Sequence, residues 1–146
     1  MTRRSGFTLI ELLIVISIIG ILSVIGMVAY STFLKNSRDA KRQSDLKFIQ
    51  SALEEYHSDQ LYYPSGTTLG SSITNGKTPL KTYLTTVPND PKDQSAYSYV
   101  AQPSGCATAA CTSYCLSASL ENLVGKKTEG NCSNPSGPYN FTVTRP

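Results

Sequence analysis

The chain has 146 residues, with 13 Lys and Arg against 10 Asp and Glu, 40% hydrophobic residues, nine tyrosines and no tryptophan. That length admits one compact domain, with or without an appendage. A net charge of +3 gives too weak a field for a strongly basic nucleic-acid-binding protein, and the tyrosines beyond the first thirty positions argue against long disorder.

The apolar residues are concentrated: 18 of the 24 positions from Phe7 to Tyr30 are hydrophobic. Between Arg4 and Lys35 the one charged residue is Glu11, and such a run is long enough to cross a bilayer as a helix. Its apolar residues, at about −0.3 to −0.6 kcal/mol each, outweigh about +3 kcal/mol for one carboxylate, so insertion wins. Arg3 and Arg4 precede the run while Lys35, Arg38, Lys41 and Arg42 follow it, and loop charge alone leaves the orientation open. A secretory signal peptide is the rival reading. Against it, the run is too long, holds a carboxylate near its start and has no clean small-x-small site at its end. The more informative junction lies before the run, at Ser5-Gly6-Phe7, where a cut leaves the apolar helix on the mature chain.

Gly6-Phe7-Thr8-Leu9-Ile10-Glu11-Leu12-Leu13-Ile14-Val15-Ile16, followed by Ile18-Ile19-Gly20-Ile21-Leu22, closely resembles the class III signal of type IV pilins and of the pseudopilins of type II secretion and competence systems. The resemblance covers Arg3 to Tyr30, and more loosely the helix that follows. It implies that residues 1–6 are a leader cut after Gly6 by a prepilin peptidase on the cytoplasmic side, and that Phe7 becomes N-methylated. It further implies that residues 7–30 hold the subunit in the inner membrane, leader inside and head outside. From that membrane lipid an assembly platform would draw it into a filament of copies of itself and other pilins.

Glu11 is a functional candidate on physical grounds as well, because a carboxylate in an apolar helix needs a partner in low dielectric. After a cut at Gly6 the nearest cation is the new amine of Phe7, in the same chain or a neighbouring copy, and such a contact would fix register in an assembly. The plainer alternative is a carboxylate resting at the membrane interface, where it suits the helix dipole. Many pilins have a proline where this chain has Val28. Gly20 and Gly26 are the remaining weak points, each costing about 1 kcal/mol relative to Ala, so a straighter helix is expected in the free subunit.

After the membrane run, Leu46, Ile49, Leu53 and Tyr56 recur at helical spacing, with Arg42, Asp45, Lys47 and Glu54 placed around them as a polar face. No proline occurs between Phe7 and Tyr63, so one helix is predicted from Phe7 to about Ser58. Its end, from Asp45 to Tyr62-Tyr63-Pro64, is also similar to that of major pseudopilins. Pro64 to Pro79 reads as a surface loop, and Pro79 to Leu84 as a short helical turn stopped by Val87-Pro88-Asn89-Asp90-Pro91. Three alternating runs predict strands at 96–100, 113–120 and 140–144, with Tyr114, Leu116, Ala118 and Leu120 facing the helix. The predicted fold is therefore α+β: a long helix, transmembrane then amphipathic, packed on a small antiparallel three-stranded sheet. Its divisions are 1–6, 7–30, 31–58 and a globular head at 59–146.

Cys106, Cys111, Cys115 and Cys132 lack the paired C-x2-C spacing of a four-thiolate zinc site, and an exported head favours disulfides. Of three pairings, Cys106 with Cys111 and Cys115 with Cys132 is the expected one. The first closes a hairpin loop, and the second ties the loop 123–137 to the central strand.

Enzyme chemistry finds little support. The one histidine, His57, falls at the helix end, where a solvated capping position is the expectation, and no nucleophile has a local base motif. Asp90 and Asp93 sit in a Pro-rich loop and read as turn residues rather than calcium ligands. Major pseudopilins, which this chain resembles, carry a calcium loop late in the head; here 122–137 has Glu129 as its one carboxylate. No metal or other cofactor is expected. The pairs Lys126-Lys127 and Lys77 with Lys81 are candidate contacts to DNA phosphates, but they lack interleaved aromatics and read better as solvated loops. Asn131-Cys132-Ser133 and Asn140-Phe141-Thr142 match a glycosylation pattern. The expected protein is a pilin-like filament subunit for adhesion, twitching or DNA uptake. A secretion or competence pseudopilin comes second, and a membrane-tethered binding head that never polymerises third.

Overall fold

In the computed structural model, residues 6–122, 127–128, 132 and 139–145 are described. The chain divides into two compact units, Met1–Asn36 and Ser37–Pro146. One helix, α1 (Leu9–Gln60, 52 residues), contributes to both. It starts two residues later and ends two residues later than the sequence predicts, and both shifts have local causes. At the front, Thr8 caps the first turn. At the back, Leu61 takes a left-handed conformation (φ 64°) and its N–H donates to the His57 carbonyl at 2.8 Å. That is a helix-ending turn, and Pro64 lies three residues further on.

In the second unit the chain then forms β1 (Ile73–Thr74), β2 (Thr82–Leu84), β3 (Ser98–Gln102), a 3-10 turn at Thr108–Ala110, β4 (Ser113–Ala118), β5 (Lys127–Thr128) and β6 (Phe141–Thr144). The larger sheet has the order β3-β4-β6-β5. Its three main strands are antiparallel, with Tyr99 opposite Leu116 and Leu116 opposite Val143, while the two-residue β5 lies parallel to β6. The α+β prediction and its three antiparallel strands therefore stand.

Two local expectations are overturned. Residues 79–84 form no helical turn; Thr82–Leu84 is a strand paired antiparallel with Ile73–Thr74, inside the stretch expected to be loop. The side chain of Asn75 holds this small ribbon together, accepting from the Lys77 and Lys81 N–H groups and donating to the Pro79 carbonyl. The polar face of the helix is the second. Arg42 and Asp45 are buried, at 2% and 3% exposed, because each meets oppositely charged or hydroxyl partners from the head rather than solvent.

Leu46, Ile49, Ala52, Leu53 and Tyr56 of α1 share one core with Tyr99, Tyr114, Leu116, Ala118, Phe141 and Val143 of the sheet. Burying an aliphatic or aromatic side chain of this kind contributes about 1.5–3 kcal/mol. The opposite face of β4 is also closed. There the hydroxyls of Ser117 and Thr142 lie 3.1 Å apart and buried, and Cys115 carries the disulfide to Cys132.

Candidate functional site

The first candidate is the start of α1. The Thr8 N–H donates to Glu11 Oε2 at 2.8 Å, the Thr8 hydroxyl donates to the same oxygen at 2.6 Å, and the Glu11 N–H donates to Thr8 Oγ1 at 3.3 Å. This reciprocal pair is a capping box, which satisfies two of the helix's orphan donors and sets an anion at its positive end. From Phe7 to Leu34 the large apolar side chains described in this unit are exposed in the single chain. α1 is the one helix among the described residues long and apolar enough to cross a membrane. Ser17 and Ser23 return their hydroxyls to the Leu13 and Ile19 carbonyls, so their polarity is spent within the helix. A Cβ built at Gly20 or Gly26 meets nothing within 4 Å, so neither glycine is required by packing inside one chain.

In the second unit, charge is gathered around Arg42. Its Nε and Nη2 donate to Asp90 Oδ2 and Oδ1 at 2.7 and 2.9 Å, and its Nη1 donates to Asp39 Oδ1 at 2.8 Å and Glu121 Oε1 at 3.0 Å. Arg38 grips Glu121 with two further bonds of 2.7 and 2.8 Å. Asp39 then accepts from the backbone N–H groups of Glu121 and Asn122. Hydrogen bonds to the carboxylates, led by Asp90, raise the Arg42 pKa above its usual value, while Arg38 first and Arg42 next hold the Glu121 carboxyl down to about 2. The arrangement is a satisfied clamp between α1, the 90s loop and the end of β4, with no acid or base left poised for transfer.

A second polar group lies in the core. Glu54 accepts from the Tyr114 hydroxyl at 2.9 Å and from the Tyr63 hydroxyl at 2.9 and 3.2 Å, and the rings of Tyr63 and Tyr114 meet edge to face at 4.8 Å. Burial first and Glu54 second push both phenols up from their usual range. His57 stacks on Tyr63 at 4.6 Å, so it is a packing residue rather than the solvated cap expected.

Residues 1–27 match the family described as "Prokaryotic N-terminal methylation motif". The chain is 37% identical over 76 residues to the fimbrial protein EcpC of Eikenella corrodens, covering 51% of this chain and 50% of that protein. It is 38% identical over 61 residues to the type IV major pilin protein PilA of Myxococcus xanthus (42% and 28%), and 35% identical over 63 residues to the type II secretion system core protein G of Pseudomonas aeruginosa (43% and 44%). The chain thus carries the N-terminal methylation motif and is similar, over about half of its length or less, to type IV pilins and to a type II secretion core protein. It matches half or less of the length of these relatives, and no solved structure matches it at a significant level.

Within the matched N-terminal segment, Gly6 and Phe7 lie just ahead of α1 and are exposed, and Glu11 is folded back on Thr8. The Thr8-x-x-Glu11 spacing is itself a capping-box signature in the sequence, a signal beyond the lone carboxylate of Glu11. The head closes two disulfides, Cys106–Cys111 and Cys115–Cys132. Asp90 is a turn residue, accepting from the Lys92 N–H at 2.8 Å, and is also the main carboxylate on Arg42, a partner 48 positions away that no spacing signal announces.

Lys77 and Lys81 are not a free basic pair. Lys81 is bonded to Asp59 with Glu55 at 3.5 Å, and Lys77 donates to Gln60 Oε1 at 2.7 Å. Asn140 holds the Leu120 N–H and carbonyl at 2.7 Å each, and Thr142 is buried. That glycosylation match is therefore a structural tie in the folded head. Arg3, Arg4, Ser5, Lys126, Glu129, Asn131 and Ser133 lie outside the described residues, as do the side chains of Val28 and Lys127.

Proposed function

We propose that this chain is a prepilin, the structural subunit of a type IV pilus-like filament serving adhesion, twitching motility or DNA uptake. The observation that carries the reading is the run of exposed large apolar side chains described from Phe7 through α1 to Leu34. A surface of that kind requires a cover: lipid while the subunit sits in the inner membrane, and other copies once it is in a filament. Gly6 and Phe7 are the cleavage and N-methylation positions in this reading. Glu11 exchanges its Thr8 partners for the Phe7 amine of the same or a neighbouring copy, and Gly20 and Gly26 let the helix yield as subunits pack. The partners are copies of the chain, other pilins, a prepilin peptidase and an inner-membrane assembly platform. DNA loses support as a partner, because Lys81 already spends its charge on Asp59 and Glu55.

A secretion or competence pseudopilin is the second reading, favoured by the match to the type II secretion core protein. Mass spectrometry of the N-terminal peptide, in material sheared from cells and in membranes, tests both. A peptide starting at N-methylated Phe7 in the sheared fraction supports the pilus, and the same peptide confined to membranes supports the pseudopilus. An uncut leader in both fractions rejects both and leaves a tethered head. Replacing Glu11 with Ala is expected to stop filament formation while the subunit stays inserted.

A further inference from the structure

Asn75-Gly76 is the one Asn-Gly pair in the sequence, and it lies in the turn that joins β1 to β2. Gly76 turns at φ 61°, where an L side chain is strained, although a Cβ built there would meet nothing within 4 Å. The turn alone accounts for the glycine. It does not account for the state of the two groups that meet at this pair. Gly76 is exposed, and its N–H makes no hydrogen bond among the described residues. The side-chain amide of Asn75, by contrast, is held at both ends. Its Oδ1 accepts from the backbone N–H groups of Lys77 at 3.2 Å and Lys81 at 3.0 Å, and its Nδ2 donates to the Pro79 carbonyl at 3.1 Å.

A backbone nitrogen one residue after an asparagine can close a five-membered ring on Cγ, an intramolecular attack governed by geometry and by how well the amide oxygen tolerates charge. Glycine leaves that nitrogen least hindered, having no Cβ. Two N–H donors on Oδ1 are the arrangement that stabilises a developing oxyanion. They are in place before any charge appears, because the Asn75 N–H, donating to the Lys81 carbonyl at 3.0 Å, ties the two sides of the turn together. The Pro79 carbonyl, accepting from Nδ2, makes the nitrogen that must leave more basic.

We propose that Asn75 is a self-modification site, at which the folded head promotes its own deamidation. The Gly76 nitrogen bonds to Asn75 Cγ and gives its proton to water. The Cγ–Nδ2 bond breaks, and Nδ2 takes a proton from water and leaves as ammonia. A second water then opens the succinimide, at Cγ to give aspartate or at the main-chain carbonyl to give isoaspartate. No oxidant, metal or other protein enters the balance. Either product removes the donor that faces the Pro79 carbonyl and adds one negative charge beside Lys77 and Lys81, so the β1–β2 ribbon records the age of the subunit.

The test compares the detergent-solubilised full-length chain, disulfides intact, in native buffer and in urea at one mildly alkaline pH. The tryptic peptide from Phe48 to Lys77 holds Asn75 as its one asparagine. Its change in mass from amide to acid follows the reaction, and methyltransferase labelling scores isoaspartate. The native chain is expected to convert about threefold faster than the unfolded one, because only the folded turn sets both N–H donors on Oδ1. An equal or slower native rate is the sign of chemistry that waits for local opening, and it overturns the proposal. Lys77→Pro deletes one of the two donors and leaves Asn75-Gly76 in place. In that variant the ratio of native to unfolded rate is expected to fall to about one, and a ratio that stays at the wild-type value overturns the role of the donors.

Discussion

Arg42 on α1 and Asp90 in the loop before β3 face each other through two nearly parallel hydrogen bonds, Nε to Oδ2 at 2.7 Å and Nη2 to Oδ1 at 2.9 Å, with the guanidinium withdrawn from solvent. Removing one partner of a buried pair strands the other's charge, which costs more than the pair contributes when whole. Arg42→Met leaves Asp39 and Asp90 facing each other without their cation, and is expected to destabilise the head by about 3 kcal/mol. Urea denaturation of the detergent-solubilised chain, followed by tyrosine fluorescence, measures it; an unchanged midpoint contradicts the clamp.

The same clamp sets an acid limit. Glu121 is held down to about 2 from an ordinary 4.5, by Arg38 first and Arg42 next, and Asp90 is lowered by Arg42. A carboxyl depressed in the folded state stabilises that state fully above its unfolded value and loses the contribution as pH falls toward the folded one. The melting temperature is therefore expected to hold above pH 4.5 and to fall between pH 4.5 and 2. The slope should be shallower in Glu121→Gln, and an equal slope in that variant rules the assignment out.

Leu61 ends α1 at φ 64° with its side chain 80% exposed. A left-handed L-residue carries strain that glycine does not, and this side chain offers little burial in return. Leu61→Gly is expected to stabilise the head by about 0.5–1 kcal/mol, read as a higher denaturation midpoint. A lower midpoint would mean that Leu61 has a contact worth more than its strain.

The disulfides close loops of different size, with sequence separations of 17 for Cys115–Cys132 and 5 for Cys106–Cys111. Loop-closure entropy gives about 3 kcal/mol for the longer and about 2 kcal/mol for the shorter. Replacing both cysteines of each pair by serine is expected to rank them in that order by midpoint shift. The reverse order would point to the packing of the fully buried Cys111 as the larger effect.

How much of this was legible in the residues divides by distance along the chain. The helix was legible because a proline-free stretch and a period near 3.6 are local properties; its ends moved by two residues because Thr8 and Leu61 decide them, not the periodicity. β3, β4 and β6 were legible from alternation, whereas β1 and β2 were not, being two and three residues long and held by the side chain of one asparagine. At the helix start, Thr8-x-x-Glu11 carried its meaning within four residues and could have been read. The clamp could not. Arg42 looks like any surface arginine until Asp90 and Glu121, 48 and 79 positions later, arrive beside it.

β4 pairs with β3 before it and with β6 after it, and Gln50 on α1 donates to the carbonyl of Thr144, 94 positions on. The central strand therefore has an open edge from its own synthesis until 141–144 follow. While the ribosome is still adding residues, α1 can already be helical from local bonds alone, but the sheet that covers its apolar stripe waits for 141–144. Non-local pairing of this kind makes folding slow relative to helix formation. For that interval the unfinished head exposes both an unpaired strand and the core face of α1, and a nascent chain stalled short of Phe141 is the species most exposed to aggregation and proteolysis.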